Sequence, residues 1–277
     1  MNVIEYADAP TLWREAESFL SRDPANNTHQ LSAIKRILDL GARGGERFFA
    51  VRDFHDELVG SAVLVDTQTL FLSVMTCEVV TSLAAHLRDA EGHLAGAIGR
   101  RDVLDTFTAT FAKPSRILVN LMLYRLERDP DFGRAAGGAR LATMDDLPLL
   151  IDWHAAFEQE VGMIKVQTPL EERVTRRIKD QQLSLWISDG IVVSFAGANA
   201  LPASSARVGP VYTPPELRGR GYAQAITAAV SLQVQRDKTR TVFLNTDAAN
   251  PASNKAYQRI GYRHIADHAH LLFYTPR

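Results

Sequence analysis

The stretch that decides the fold is Val211-Tyr212-Thr213-Pro214-Pro215-Glu216-Leu217-Arg218-Gly219-Arg220-Gly221-Tyr222-Ala223, which leads from the end of a strand into a helix. The strand itself carries Gly209-Pro210. Because proline has no N–H to give to a ladder, it predicts a bulge or a sheet edge here. A bulge would separate the strand from its neighbour and leave backbone groups of Val211 and Thr213 unpaired. A proline that only marks an edge explains the same pattern.

The glycine-containing turn predicts an anion site at the start of the helix. That helix has apolar residues at Tyr222, Ile226, Val230 and Val234. The first N–H groups of a helix lack intrahelical partners and carry partial positive charge, and Gly219 and Gly221 let the backbone approach a ligand. Arg218 and Arg220 add charge, so the turn suits a pyrophosphate. A tight turn alone is the other interpretation. A dinucleotide loop is disfavoured, because Gln224 stands where its third glycine would be.

A second motif, Asn250-Pro251-Ala252-Ser253-Asn254-Lys255-Ala256-Tyr257, opens a short helix after the next strand. Asn250 is explained by capping alone, since Asn is a good N-cap and Pro favours the first helical position. Asn254 and Tyr257 lie further along the same helical face. Asn254 offers both a donor and an acceptor. The phenol, with an ordinary pKa of about 10, can protonate a departing thiolate; a packed aromatic is the alternative.

Composition indicates two ordinary globular domains, since the chain has 277 residues, 46% of them hydrophobic and 23% charged. The net charge of −1 gives no reason to expect a nucleic acid or a membrane as partner. One cysteine, Cys77, excludes an intrachain disulfide and suggests a reducing compartment. The first residues do not resemble a signal peptide, and no apolar run approaches the ~20 residues of a membrane span. We therefore expect a cytoplasmic protein.

Hydrophobic periodicity predicts similar elements in two halves. In the first we expect a helix from residue 8, helices at 31–40, 79–90 and 102–111, and strands at 47–52, 57–65, 70–75 and 117–126. In the second we expect helices at 146–161, 171–179, 222–236 and 251–260, and strands at 183–187, 191–201, 207–212, 241–246, 262–264 and 268–274. The order predicts an α+β fold around a mixed, mainly antiparallel sheet.

A break rich in Asp, Pro, Gly and Ala at residues 129–139 predicts the boundary between an N-terminal half (residues 1–132) and a C-terminal half (residues 139–277). Weak matches in a common order suggest that the halves are two copies of one unit. Asp146, Leu150 and Phe157, for example, each follow Asp8, Leu12 and Phe19 by 138 residues. The N-terminal copy has no glycine at 76–80, where a phosphate loop would stand.

These motifs, in this order, resemble the GNAT superfamily of acyl-coenzyme A N-acyltransferases over about residues 140–273. The family's Arg/Gln-x-x-Gly-x-Gly/Ala signature is matched by Arg218, Gly221 and Ala223, and its later signature by Asn250, Asn254, Tyr257, Gly261 and Tyr262. The strings at 211–216 and 250–257 look especially like bacterial predicted acetyltransferases with an extra N-terminal GNAT-like region. The resemblance implies tandem GNAT-like folds with a degenerate N-terminal domain, and an N-acetyltransferase in which a primary amine attacks acetyl-CoA directly.

The resemblance also implies a set of site residues. Tyr257 would be the general acid and no metal would be needed. Pantetheine would pair with the strand backbone, the pyrophosphate would lie on the turn, and the two asparagines would hold the pantetheine arm. The residues that would bind acetyl-CoA are Val211, Tyr212, Thr213, Arg218, Gly219, Arg220, Gly221, Tyr222, Ala223, Asn250, Asn254 and Tyr257.

Several alternatives stay open. The general base is either a carboxylate, with Glu158, Glu160 and Asp247 as candidates, or a water chain. Each of these three carboxylates can also be interpreted as a solvated surface charge. His264, His268 and His270 have strand spacing and no accompanying cysteine, which argues against a metal site. The acceptor is a small-molecule or peptide amine, and a homodimer is one option for the N-terminal half. The alternative functions are a non-catalytic acyl-CoA-binding sensor or regulatory module, and a nucleotide-binding protein.

Overall fold

The computed structural model describes residues 1–89, 94–162, 168–202, 204–235 and 240–274. The elements of the N-terminal half are β1 Asn2–Tyr6, α1 Ala9–Ser21, α2 Thr28–Leu40, β2 Arg47–Arg52, β3 Leu58–Leu64, β4 Thr69–Leu72, α3 Cys77–Asp89, β5 Gly96–Arg100, α4 Arg101–Phe111 and β6 Ser115–Leu126. Those of the C-terminal half are β7 Gly138–Leu141, α5 Leu147–Glu160, α6 Leu170–Lys179, β8 Leu183–Ser188, β9 Ile191–Leu201, β10 Ser205–Tyr212, α7 Tyr222–Val234, β11 Thr241–Asp247, α8 Pro251–Ile260 and β12 Tyr262–Phe273.

The two halves have the same element order: a strand, two helices, three strands, a helix, a strand, a helix and a strand. All described strands lie in one 12-stranded sheet of order β1-β2-β3-β4-β5-β12-β6-β11-β10-β9-β8-β7. Neighbours are antiparallel except for β4 with β5 and β10 with β11. The predicted α+β class, with a mixed and mainly antiparallel sheet in each of two similar units, is confirmed.

The halves exchange their last strands at the centre of this sheet. β12 lies between β5 and β6 of the N-terminal half, and β6 in turn pairs with β11 of the C-terminal half. Ala269 and Leu271 of β12 are buried in the N-terminal core, whereas Tyr124 and Leu126 of β6 are buried in the C-terminal core. Each core is therefore completed by a strand from the other half.

Helices cover both faces of the sheet. The front face carries α1, α2, α5 and α6, and the back face carries α3, α4, α7 and α8. Along β9, Phe195 packs under α5 and α6, and Leu201, on the same face of the strand, packs with Ala25 just before α2. None of the helices within the described ranges is long and apolar enough to cross a membrane.

Most predicted elements are present, and the differences have physical reasons. The predicted strands 262–264 and 268–274 are one strand, β12, whose register shifts between His264 and Ala266, so the alternation that the sequence shows breaks there. β1, β5 and β7 were not predicted. The Asp8 side chain caps α1, and α2 ends at Leu40, before Gly41. The predicted helix ends at residues 90 and 236 lie outside the described residues.

Candidate active site

The feature that positions the site is a gap between β10 and β11. The two strands pair only from Ser205 to Arg207, against Thr241 to Phe243. The register of β10 against β9 shifts between Val208 and Val211, at the Gly209–Pro210 peptide, so the predicted bulge is present. Beyond Arg207 the edge of β10 that faces β11 has no ladder partner on that strand, and an extended amide-bearing chain can add there.

Two carbonyl groups near the gap already accept hydrogen bonds from arginines. Arg218 Nε donates to the Thr213 oxygen at 2.8 Å, and Arg177 Nη2 donates to the Gly209 oxygen at 2.9 Å. Val211 pairs with Ala196 of β9 on its other side. Of the predicted pantetheine partners, Val211 thus keeps the open edge, while the carbonyl of Thr213 is engaged within the protein.

The turn before α7 leaves the helix start uncapped. Gly219 and Gly221 have φ values of 77° and 85°, in the left-handed region that favours glycine. Gly221 is the N-cap residue and no side chain caps the helix, whose first intrahelical bond runs from Ala225 N to the Gly221 oxygen at 3.0 Å. The amides of residues 222–224 therefore point out of the helix start with no side-chain acceptor. This is the geometry of an anion-binding helix start.

The two arginines of the turn differ in their surroundings. Both Arg218 and Arg220 are exposed. Arg218 Nη2 contacts both carboxylate oxygens of Glu160, at 2.7 and 2.8 Å, and its guanidinium lies 5.7 Å from the centre of the Tyr212 ring. Arg220 makes no hydrogen bond or ion pair with any described residue. Arg220 is therefore the cation of this turn that is free to meet an anion.

The three candidate bases are found in different states. Glu158 forms a two-pronged ion pair with Arg173, at 2.6 and 2.9 Å, and Glu160 pairs with Arg218. Asp247 is exposed at the end of β11, accepts a hydrogen bond from Ala249 N at 2.8 Å, and has no ion pair among the described residues. Asp247 is thus the one of the three whose carboxylate is not held by a cation in the described structure.

The asparagines of α8 hold the loop after β11. Asn250 Oδ1 accepts from Ser253 N at 3.1 Å and so caps the helix, as one of its two interpretations predicts. Asn254 Nδ2 donates to the oxygens of Asp247 and Ala248 at 3.3 and 3.4 Å. Asn254 Oδ1 is buried and has no hydrogen-bond partner in the described structure. A ligand N–H would satisfy that oxygen.

Tyr257 lies in a cluster of three tyrosines on the back face. Its ring centre is 6.5 Å from that of Tyr124 and 6.2 Å from that of Tyr262. The Tyr262 hydroxyl is bound to Ser231 Oγ at 2.6 Å, and Tyr124 accepts from Gln258 Nε2 at 3.3 Å. The Tyr257 hydroxyl has no hydrogen-bond partner among the described residues. Burial raises the pKa of Tyr257 to about 12, so the phenol stays protonated at neutral pH.

The segment between the halves borders the turn, which the sequence did not indicate. Gln224 Nε2 donates to the Asp131 oxygen at 3.3 Å, and Trp186 Nε1 donates to the Ala136 oxygen at 2.9 Å. Ala135 lies beside Gly221. The segment therefore packs across the start of α7 and helps to fix it.

Sequence reasoning also missed Arg177 and its partner Gly197. A Cβ at Gly197 would collide with the Arg177 guanidinium, so glycine makes room for this side chain against the sheet. Arg177 lies on α6 between the buried Val174 and Ile178, and a cation near the apolar face of a helix was the available signal. Within the described ranges no three His, Cys, Asp or Glu side chains are grouped to hold a metal ion.

Comparisons with known proteins agree with this geometry. Residues 192–271 match the family described as FR47-like protein, a GNAT-like family. No curated protein matches the chain. A GCN5-related N-acetyltransferase structure from Sphaerobacter thermophilus has a TM-score of 0.67 at 17% identity, covering 99% of this chain and 96% of that one. A GNAT-family acetyltransferase from Colwellia psychrerythraea has a TM-score of 0.61 at 14% identity, covering 99% of both chains.

A third structure is a tandem GNAT protein from the clavulanic acid biosynthesis pathway, with a TM-score of 0.57 at 11% identity and 100% of both chains covered. The chain has a tandem GNAT fold. The fold supports acyl transfer in general, and the two similar units described above are its two GNAT units.

The N-terminal GNAT unit differs from the C-terminal unit just after β4. β4 and β5 pair as β10 and β11 do, but after β4 the Val74 amide donates to Asn27 Oδ1 at 2.9 Å. The Ser73 amide donates to the Ser61 oxygen of β3 at 3.0 Å, on the side of β4 away from β5. A Cβ at Gly60 would collide with Met75 and Val79, so these side chains pack closely against β3. The Val74 amide is therefore satisfied within this unit.

Proposed function

We propose that this chain is an N-acetyltransferase that moves acetyl from acetyl-CoA to a primary amine by direct attack. The observation that carries the proposal is the open edge of β10 beyond Arg207, which leads to the uncapped start of α7. An extended amide chain fits the first and a pyrophosphate the second. In the N-terminal unit the chain after β4 differs, because its Val74 amide is already bound to Asn27 Oδ1.

The residues would bind the donor in sequence along the gap. The amides of Tyr222 and Ala223, after Gly219 and Gly221, take the pyrophosphate, with Arg220 adding charge. The edge at Val211 pairs with pantetheine amides, and Asn254 Oδ1 accepts a further N–H. Arg218, with its guanidinium between Glu160 and Thr213, holds the turn in place.

The reaction needs one proton removed and one delivered. The amine nitrogen attacks the thioester carbon, the C–S bond breaks, and the thiolate takes a proton from Tyr257. The attacking nitrogen loses its proton to Asp247 or to a water chain, and solvent returns a proton to the phenolate. Asp247 is the proposed base rather than Glu158 or Glu160, because those two carboxylates are held by Arg173 and Arg218.

The same two ion pairs favour one other function, a module that binds acyl-CoA without turnover. With Glu158 and Glu160 engaged, catalysis depends on one exposed carboxylate or on water. Binding and turnover must therefore be measured separately.

The test combines calorimetry with a thiol-release screen. Purified protein is titrated with acetyl-CoA, ATP and NAD, and release of coenzyme A is followed across small amines, amino acids and peptide N-termini. Mass spectrometry of the protein as purified checks for bound coenzyme A. We expect acetyl-CoA to bind, the nucleotides to bind weakly or not at all, and at least one amine class to release thiol. Binding without release from any amine class supports the module, and ATP or NAD binding in place of acetyl-CoA contradicts both functions.

A further inference from the structure

Polar side chains interrupt the front face of the sheet where the two units meet. On adjacent strands, Asn199 is paired with Arg207, Arg207 with Phe243, and Phe243 precedes Asn245 by two residues on the same face. We call the row formed by Asn199, Arg207 and Asn245 the polar strip. Arg207 is the last residue at which β10 and β11 pair, so the strip begins at the vertex of the gap proposed to hold the thioester.

Two partly buried arginines at the strip have no carboxylate partner. The Arg207 side chain makes no hydrogen bond or ion pair with another described residue. The Arg177 side chain makes one hydrogen bond among the described residues, to the Gly209 oxygen, and its Nε is buried without a partner. Glu158, the acid of α5, pairs with Arg173 instead. Proteins rarely bury a guanidinium without an anion, because the charge loses its hydration.

The electrostatics around the strip agree with an excess of positive charge. Burial and the neighbouring charge of Arg207 lower the pKa of Arg177 to about 10. Burial also lowers the pKa of Arg207 itself. Burial, then His268 and Arg207, hold the pKa of His29 well below its usual range. Among the described residues, no carboxylate raises the pKa of His29 or Arg177 against these positive neighbours.

Polar atoms of the strip also lack partners. Asn199 Oδ1 and both side-chain polar atoms of Asn245 are buried without a hydrogen bond in the described structure. Buried amides are normally satisfied, so each such atom calls for an explanation. Close by, a cavity of about 260 Å³ is lined by Arg101, Asn120, Leu121, Ala248, Asp267 and His268. The His268 ring lies near that of His29, with ring centres 5.5 Å apart and the planes tilted by 46°.

We propose that the polar strip binds an acidic group of the acyl acceptor, with Arg207 as the main anion ligand and with Arg177 and the Nδ2 group of Asn245 as further donors. The acceptor is then an amine that also carries a carboxylate or a phosphate. A planar guanidinium suits either anion, and a negative group at Arg207 places the acceptor at the vertex of the gap. This inference rests on the proposed acyl transfer for the acceptor's role, but not for the binding of the anion.

The test compares acids with their neutral counterparts on Arg207 variants. The variants are Arg207→Gln and Arg207→Lys, with Arg14→Gln, on the exposed surface of α1, as the charge-matched control. The acidic acceptors are the protein amino acids, β-alanine and phosphoethanolamine. Each amino acid and β-alanine is compared with its amide, and phosphoethanolamine is compared with ethanolamine. We expect acidic amines to be the better substrates of the wild type. Arg207→Gln should raise their KM about 10- to 100-fold, with Arg207→Lys intermediate and the KM for acetyl-CoA unchanged.

Comparing the KM values of the carboxylate-bearing and phosphate-bearing amines shows which of the two anions the site prefers. If neutral amines match or exceed their acidic counterparts, or if Arg207→Gln leaves the KM of acids unchanged, the inference is wrong. Arg207→Gln should also keep or raise the melting temperature relative to Arg14→Gln, because it removes an unpaired buried charge. A purely structural Arg207 would instead lower the melting temperature and leave the acid preference intact.

Direct binding keeps the inference testable if no amine releases thiol. Calorimetry then measures N-acetylated amino acids, N-acetylated phosphoethanolamine and their neutral counterparts against the protein, with and without coenzyme A. Binding of the acids that is lost in Arg207→Gln supports the anion site even though the transferase proposal has failed. No binding of any acid, with turnover or without it, overturns the inference.

Discussion

At the residue scale, Tyr257 and Tyr262 are a natural pair for testing the general acid. The Tyr257 hydroxyl has no hydrogen-bond partner among the described residues, whereas the Tyr262 hydroxyl is bound to Ser231. We expect Tyr257→Phe to bind acetyl-CoA as the wild type does and to lose about 10²- to 10⁴-fold in kcat. Tyr262→Phe should lose about 1 kcal/mol of stability and keep its kcat. Calorimetry, steady-state kinetics and denaturant unfolding measure the three quantities, and equal kcat values for both variants would remove Tyr257 from the mechanism.

The pH profile gives a second test of the same residue. Because the pKa of Tyr257 is raised to about 12, the acid form that the reaction requires persists well above neutrality. We expect kcat to rise as the acceptor amine loses its proton and then to stay level up to pH 10. A fall in kcat with an apparent pKa between 8 and 10, absent from Tyr257→Phe, would show that the acid titrates far below this range.

At the scale of elements, substitutions of two glycines distinguish the cost of backbone strain from the loss of ligand binding. Gly219 in the turn before α7 and Gly190 in the turn between β8 and β9 have φ values of 77° and 76°, and a Cβ at either would meet no atom within 4 Å. Alanine at either position should cost about 1–2 kcal/mol of stability. Only Gly219→Ala should weaken acetyl-CoA binding, because only that turn lies in the proposed pyrophosphate site. Equal acetyl-CoA affinity in the two variants would place the pyrophosphate elsewhere.

Local patterns predicted most helices and strands because hydrophobic periodicity is set by which face is buried. β5 escaped prediction since Gly96 and Gly99 give it little strand propensity. The structure explains both glycines: a Cβ at Gly96 would collide with the Leu271 oxygen of β12, and one at Gly99 would crowd Leu72 of β4 at 3.3 Å. The need for these glycines comes from strands far away in sequence, which no local window contains.

In the candidate site too, local features were predictable from the sequence and contacts between distant elements were not. The bulge at Gly209-Pro210 and the cap at Asn250 follow from rules for single residues, and both are present. The ion pairs that engage Glu158 and Glu160 join separate elements, so the sequence left three carboxylates equal where the structure separates them. Nothing in the local sequence distinguishes Arg207 from other strand residues, because its neighbours Asn199 and Phe243 lie on other strands.

At the scale of the whole molecule, the exchange of β6 and β12 predicts one cooperative unfolding transition. Trp13 reports on the N-terminal core, and Trp153 and Trp186 report on the C-terminal unit. We expect Trp13→Phe and the double variant Trp153→Phe/Trp186→Phe to show fluorescence transitions that each coincide with loss of helical signal in guanidinium. A gap between the fluorescence and helical midpoints within either variant would mean that the units unfold separately despite the shared strands.

The exchanged strands also bear on how such a chain can change over generations. Losing the N-terminal unit would remove β6 from beside β11 and β5 from beside β12, so a shortened descendant would inherit an incomplete C-terminal unit. The N-terminal unit, in which Asn27 binds the Val74 amide, can thus lose a binding function without becoming dispensable to the fold. Selection would retain the N-terminal unit because it supplies β6 to the other unit and because its β5 pairs with β12.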